Sequence, residues 1–286
     1  MSRSDEMGAP QDVSEAPAGT PPALIDVSRL SKSFERVLAV DDLSFTVRAG
    51  EILGLVGPNG AGKTTTLRAL AGIVAPTSGT LRIAGRDIIV EPVATKRELA
   101  LIPDTPNLFE SLTVLEHFEF TARIYDVVDW RARTERLLEE FELLEHRQKM
   151  ADELSRGMRQ KVAVGCALLH DPRVLLLDEP FTGLDPLGIR TLFDAVRRRV
   201  AGGAAAILSS HLLGQIESLC TSFLIVDRGR LVLAGSKEAI RAQLPELRAE
   251  ASLEEIFFEA TRARRTADAT APGEGPVQPP GGEVAP

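Results

Sequence analysis

Only two cysteines, Cys166 and Cys220, occur in 286 residues. Two separated thiols build neither a disulfide framework nor a cysteine metal site, and a reducing cytoplasm suits such a chain. Positive charge is also short, with 33 Lys and Arg against 41 Asp and Glu and a formal net charge of −8. Wholesale attraction to nucleic acid or anionic lipid needs clustered cations, so the balance argues against it and leaves only local basic patches open. No stretch approaches the roughly 18 to 20 apolar residues that span a bilayer. The N-terminus is polar and lacks the apolar core of a secretion signal. The expectation is a protein that neither crosses a membrane nor is secreted. Internal repeats and sustained heptads are missing too, which excludes a solenoid or a long coiled coil.

What is present is an ordinary globular composition, 44% hydrophobic, long enough for one sizeable folded unit with room for two lobes. Residues 1–22 are rich in Ser, Ala, Pro, Asp and Glu, and residues 266–286 in Gly, Pro and Ala, so both ends read as disordered tails. Between them, β-rich runs such as Leu24 to Val27, Leu43 to Val47 and Ile52 to Val56 alternate with helical patterns. Val174 to Leu177 is apolar enough to be a strand buried on both faces, as in a mainly parallel sheet. From about Thr113 to Arg147 the pattern is helical alone, with Leu115, Phe118 and Ala122 on one face and Leu137, Leu138, Phe141 and Leu144 on another. The expectation is an α/β domain over 23–235 with a helical lobe inserted at about 105–165. A helical extension follows over 236–265, where Ser252-Leu253-Glu254-Glu255 reads as a capping box.

The densest chemistry lies in Gly57-Pro58-Asn59-Gly60-Ala61-Gly62-Lys63-Thr64-Thr65, directly after an apolar run. Its glycines let successive backbone N–H groups converge on one point at the positive end of the following helix, which is how a triphosphate is cradled. Lys63 is expected to reach the β- and γ-phosphates, Thr64 to ligand Mg²⁺, and Thr65 to contact the α-phosphate. Further on, the buried run ends in two adjacent carboxylates, Asp178 and Glu179. Phosphoryl transfer depends on positioning and charge compensation, so Asp178 is expected to hold magnesium through water and Glu179 to orient or deprotonate the attacking water.

With Leu154-Ser155-Arg156-Gly157-Met158-Arg159-Gln160 the chain resembles the nucleotide-binding subunit of ABC transporters over about Leu24 to Arg264. The resemblance implies a P-loop NTPase core of ABC ATPase type, with an N-terminal antiparallel β subdomain and an inserted α-helical subdomain. It implies ATP and Mg²⁺ as ligands. It also implies head-to-tail pairing with a second nucleotide-binding subunit, a second copy for preference, in which Ser155 and Gly157 of one chain close on the γ-phosphate held by the other. Phe34 resembles the aromatic that stacks on adenine, and Val40 lines the same pocket. Gly183-Leu184-Asp185 resembles the D-loop that crosses the dimer interface, and His211 the switch histidine on the γ-phosphate. His117, His146 and His170 have no such placement and read as surface or packing residues.

One position departs from the family. Its Q-loop glutamine falls on Asp104 here. Bare carboxylate against γ-phosphate at about 4 Å costs on the order of 1 kcal/mol in water and about 4 at an effective dielectric of 20, and an intervening Mg²⁺ reverses the sign. Asp104 is therefore expected to ligand the metal in a closed state, the alternative being that it caps the following turn. The resemblance further implies a separate transmembrane permease, docked near Asp104 to Phe120 around Leu108, Phe109 and Leu112, and a peripheral place on the cytoplasmic face of the cell membrane. The signature together with Ser252 to Phe257 looks most like exporters of the ABC-2 type. ABC-type ATPases that act on DNA or ribosomes are the alternative, but they carry coiled coils, zinc sites or paired cassettes that this sequence lacks.

Overall fold

The computed structural model describes residues 21–248 and 250–270, so both expected tails lie largely outside the described residues. Strands β1 (Ala23–Phe34) and β2 (Val37–Arg48) form an antiparallel hairpin that turns through Glu35 at φ 47. β3 (Ile52–Val56), all of it buried, feeds the glycine loop and α1 (Lys63–Leu70). Next come β4 (Ser78–Ile83), β5 (Arg86–Asp87), α2 (Pro92–Glu98) and β6 (Leu99–Ile102). Three helices then stand together: α3 (Val114–Ile124), α4 (Trp130–Glu140) and α5 (Arg156–Leu169). The first is started by a capping box, in which Glu116 N–H donates to Thr113 Oγ1 at 3.2 Å and Thr113 N–H to Glu116 Oε2 at 2.7 Å. β7 (Val174–Asp178), α6 (Pro186–Ala201), β8 (Ala205–Ser209), α7 (Leu213–Glu217), β9 (Ser222–Asp227) and β10 (Arg230–Gly235) complete the α/β part. α8 (Lys237–Ala242) and α9 (Leu253–Thr270) follow. The Ser252–Glu255 box is formed at the start of α9, with Ser252 N–H to Glu255 Oε2 at 2.8 Å. That helix continues to Thr270, past the tail boundary at residue 266 that composition suggests.

Two sheets result. One is antiparallel in the order β2-β1-β4-β5, and the other runs β10-β9-β3-β8-β7-β6, parallel from β9 to β6 with β10 antiparallel at its edge. The fold is therefore α/β, with an antiparallel sheet, a mixed sheet and a helical lobe. The central strands are buried on both faces and their side chains alternate between two cores. Val174, Leu176, Ile207, Leu53 and Leu55 pack with the antiparallel sheet and α1. Leu175, Leu177, Leu208, Phe118, Phe141 and Leu192 pack on the other face with the helices. Leu144, expected on the apolar face of the lobe, is 37% exposed because the chain has left α4 and turned into a short 3₁₀ segment. Since β3, β8 and β7 are parallel neighbours, their C-terminal ends open on the same side, where an α/β sheet builds its ligand site.

Candidate nucleotide site

The three strand ends deliver the glycine loop, the 209–211 segment and the Asp178-Glu179 pair to one place. In the loop Gly62 takes φ 97, and a Cβ there would lie 2.5 Å from Ala39 O and 3.2 Å from Val40 Cγ2. Glycine is thus demanded both by conformation and by the closeness of β2. Lys63 bends back over the loop, its Nζ donating to Gly57 O at 2.7 Å and Pro58 O at 3.2 Å. Burial lowers its pKa, while the charges of Glu179 and Asp178 pull it back up.

Asp178 is buried and its Oδ1 accepts two hydroxyl bonds, from Ser209 Oγ at 2.7 Å and Thr64 Oγ1 at 3.2 Å. Thr64 and Asp178 thereby face each other across the start of the loop helix, the arrangement required to share a hard cation. Among the described residues no cluster of three His, Cys, Asp or Glu could hold a metal. A magnesium ion held by Thr64 and Asp178 would have to draw the rest of its oxygen shell from phosphate and water. Glu179 sits at φ 47, a left-handed conformation unusual for a residue with a side chain. Its N–H donates to Ser209 O at 3.0 Å, which ties β7 to β8, and its Oε2 accepts from His211 Nδ1 at 2.8 Å.

Beside these groups opens a cavity of about 540 Å³ lined by Phe34, Asn59, Gly60, Ala61, Gly62, Lys63, Thr64, Thr65 and Glu179, whereas Asp178 and His211 do not line it themselves and reach it through Thr64 and Glu179. Phe34 is 45% exposed, and Lys32 Nζ lies over one face of its ring, 4.8 Å from the centroid. Val40, expected in the same wall, is not there. It is buried against Gly62 beneath the loop, because β2 turns that side chain to the core, and Val37, Leu38 and Ala39 line the cavity instead. Arg228 also borders it. Neither Arg228 nor Ser209 stood out in the sequence, although Ser209 lies in the same Leu208-Ser209-Ser210-His211 run as His211.

The remaining positions lie off this cavity. Ser155 caps α5 and accepts from Met158 N–H at 3.3 Å, and Asp185 caps α6 and accepts from Gly188 N–H at 2.7 Å. Gly157 packs on the D-loop backbone, where a Cβ would come 2.4 Å from Gly183 O. Asp104 is half exposed, its Oδ1 3.9 Å from Arg156 Nη2, and its carboxylate accepts no hydrogen bond among the described residues, so turn capping has no bond to support it. His117 is buried and accepts from Phe109 N–H at 2.9 Å, and His170 stacks on Tyr125 with centroids 3.8 Å apart. Both are packing residues.

Residues 40–182 match the family model described as ABC transporter. The chain is 34% identical over 242 residues to the ABC-type transporter ATP-binding protein EcsA of Bacillus subtilis, covering 84% of this chain and 97% of that one. The chain belongs to the ABC transporter family. It is a nucleotide-binding subunit of that family, and ATP is the ligand for which the loop and cavity are shaped. It is also 37% identical to the Nod factor export ATP-binding protein I of Paraburkholderia xenovorans, covering 78% of this chain and 74% of that one. The solved structure of an ATP binding subunit of an ABC transporter superposes with a TM-score of 0.79 at 38% identity, covering 83% of this chain and 99% of that chain.

Proposed function

We propose that this ABC subunit hydrolyses ATP at the 57–65 loop, pairs head to tail with a second copy, and powers a separate membrane permease that exports its cargo. The observation that carries the catalytic part is the contact, 2.8 Å long, between His211 and Glu179, the one carboxylate among the described residues that lines the cavity. Glu179 takes the proton of the attacking water, and His211 holds that carboxylate in place and reaches the γ-phosphate. Lys63 and the loop N–H groups balance the phosphate charge. Thr64 and Asp178 hold Mg²⁺, which supplies further charge compensation on the phosphates. Phe34 stacks on the adenine. Asp104 would be a further oxygen ligand to that metal in the closed site.

Pairing is supported by what this chain's own cavity leaves out. Ser155, Gly157 and Asp185 sit at helix starts off its wall, ready to meet the phosphates of a neighbour. No helix of the described residues is long and apolar enough to cross a membrane, so transport needs a partner that does. The docking face runs from Asp104 into α3, where Phe109 is 54% exposed and lies edge-on to the exposed Phe120, while Leu108 and Leu112 are half-buried. Membrane contact is through that permease alone, and no part of the reading involves nucleic acid. The name of the Nod factor export relative favours the outward direction. Substituting Glu179→Gln tests the reading. Turnover falls by roughly 10² to 10⁴ and an ATP-bound dimer accumulates in size-exclusion chromatography. Wild-type turnover in that variant refutes the assignment.

A further inference from the structure

Away from the nucleotide, five arginines from three parts of the chain line one groove. Arg133 and Arg136 come from α4, Arg198 and Arg199 from the end of α6, and Arg173 from the turn into β7. Two adjoining cavities of about 390 and 420 Å³ share Asp171, Arg198 and Arg199, so the groove is continuous. Its floor is apolar, made by the buried Leu137, Leu168 and Leu169.

The cations are unevenly matched. Arg198 pairs with Glu140 across the α6–α4 boundary, and Arg173 lies 3.8 Å from Glu98. Arg133 donates only to a carbonyl, Leu169 O at 3.4 Å, and Arg199 only to Leu168 O at 3.3 Å and Ala195 O at 3.5 Å. The Nε of Arg199 is buried without a partner, and Arg136 has no hydrogen bond or ion pair among the described residues. Set against Glu98, Glu140 and Asp171, five guanidiniums leave two positive charges at one place in a chain whose net charge is −8. Burial disfavours the charge of Arg199, and Asp171 and Glu140 oppose that shift.

We propose that this groove binds a phosphate monoester, with the forks of Arg133, Arg136 and Arg199 on its oxygens and the apolar floor under its carbon part. The dianion matches the two uncompensated charges, and planar guanidiniums offer paired N–H groups to phosphate oxygens. A bound ester also spans the helical lobe and the α/β core, because α4 belongs to one and α6 to the other. The site is separate from the phosphate loop and independent of the transport reading.

Two probes carry the same phosphate monoester, free sn-glycerol 3-phosphate and phosphatidic acid diluted in phosphatidylcholine vesicles. The first is followed by titration calorimetry and the second by vesicle co-sedimentation, with the full chain in each. Arg136→Glu weakens binding at least about tenfold, the size expected for losing a charge-assisted contact and gaining a repulsion. Arg82→Glu makes the same charge change on exposed β4 and leaves binding within about twofold, as does Lys63→Ala at the phosphate loop. Arg133→Gln serves if Arg136→Glu does not fold. Binding of the free ester identifies a soluble metabolite, and binding of vesicles alone identifies a lipid headgroup. Binding of neither probe overturns the proposal, and so does an equal loss from Arg82→Glu or a loss from Lys63→Ala alone.

Discussion

Ser209→Ala is the most informative single change, because it touches the metal-side carboxylate without touching phosphate. The Ser209 hydroxyl is fully buried and donates to Asp178 Oδ1 at 2.7 Å, the shorter of the two bonds that oxygen accepts. Removing it deletes that hydrogen bond to a buried charge and the long bond Ser209 Oγ accepts from Glu179 N–H at 3.3 Å, whose donor keeps Ser209 O at 3.0 Å, and leaves Thr64 Oγ1, at 3.2 Å, as the remaining donor to Asp178 Oδ1. Hydrogen bonds to charged groups are worth about 1.5–3 kcal/mol. The lost volume is one oxygen, so little cavity cost is added. The expected drop in unfolding free energy is therefore about 1.5–3 kcal/mol, or roughly 3–12 °C in Tm for a chain of this size. In an Asp178→Asn background the charge is gone and the same substitution costs about 0.5–1.5 kcal/mol. Urea unfolding of the four proteins gives the coupling directly, on the order of 1 kcal/mol. Magnesium titration of ATPase activity should show a weakened half-saturation in Ser209→Ala, since Asp178 is no longer held on both sides. Zero coupling together with an unchanged magnesium curve would refute the argument that Ser209 positions Asp178.

Gly62→Ala places a methyl group 2.5 Å from Ala39 O at a positive φ, so we expect loss of nucleotide binding and destabilisation of about 1–3 kcal/mol, read by fluorescence titration with a labelled ATP analogue and by thermal melting. Burial pushes the thiols of Cys166 and Cys220 from the usual 9.0 up to about 12. The raised folded-state values mean stability is intact below pH 9 and lost as pH rises toward 12, by on the order of 1 kcal/mol per thiol at pH 10. A Cys166→Ala/Cys220→Ala chain should lose that alkaline slope in urea melts, and an unchanged slope would count against the burial. Asp104→Asn should weaken magnesium dependence or turnover, and an enzyme unaltered in both would end the idea that Asp104 reaches the metal.

The phosphate loop, the Asp178-Glu179 pair and the Ser155 signature are consecutive residues whose chemistry needs no knowledge of distant contacts. Together with the buried apolar run ahead of Asp178, they made the α/β fold and the ATP site legible in the sequence alone. His211 was legible only through its resemblance to a family position, since one histidine after an apolar strand specifies nothing. Whatever depends on which strands are neighbours had to await the tertiary structure. The sheet order places β8 beside β7, and only that makes Ser209 the partner of Asp178 and brings His211 to Glu179. The packing of β2 on the glycine loop turned Val40 inward and gave the wall to Val37 and Leu38. Asp104 met Arg156 rather than the cavity for the same kind of reason. The arginine groove is the extreme case, because its charges are scattered among carboxylates along the chain and become an excess only where α4 and α6 come together. Local chemistry is written in adjacent residues, whereas electrostatic and hydrogen-bond partners are chosen by packing between elements far apart in sequence.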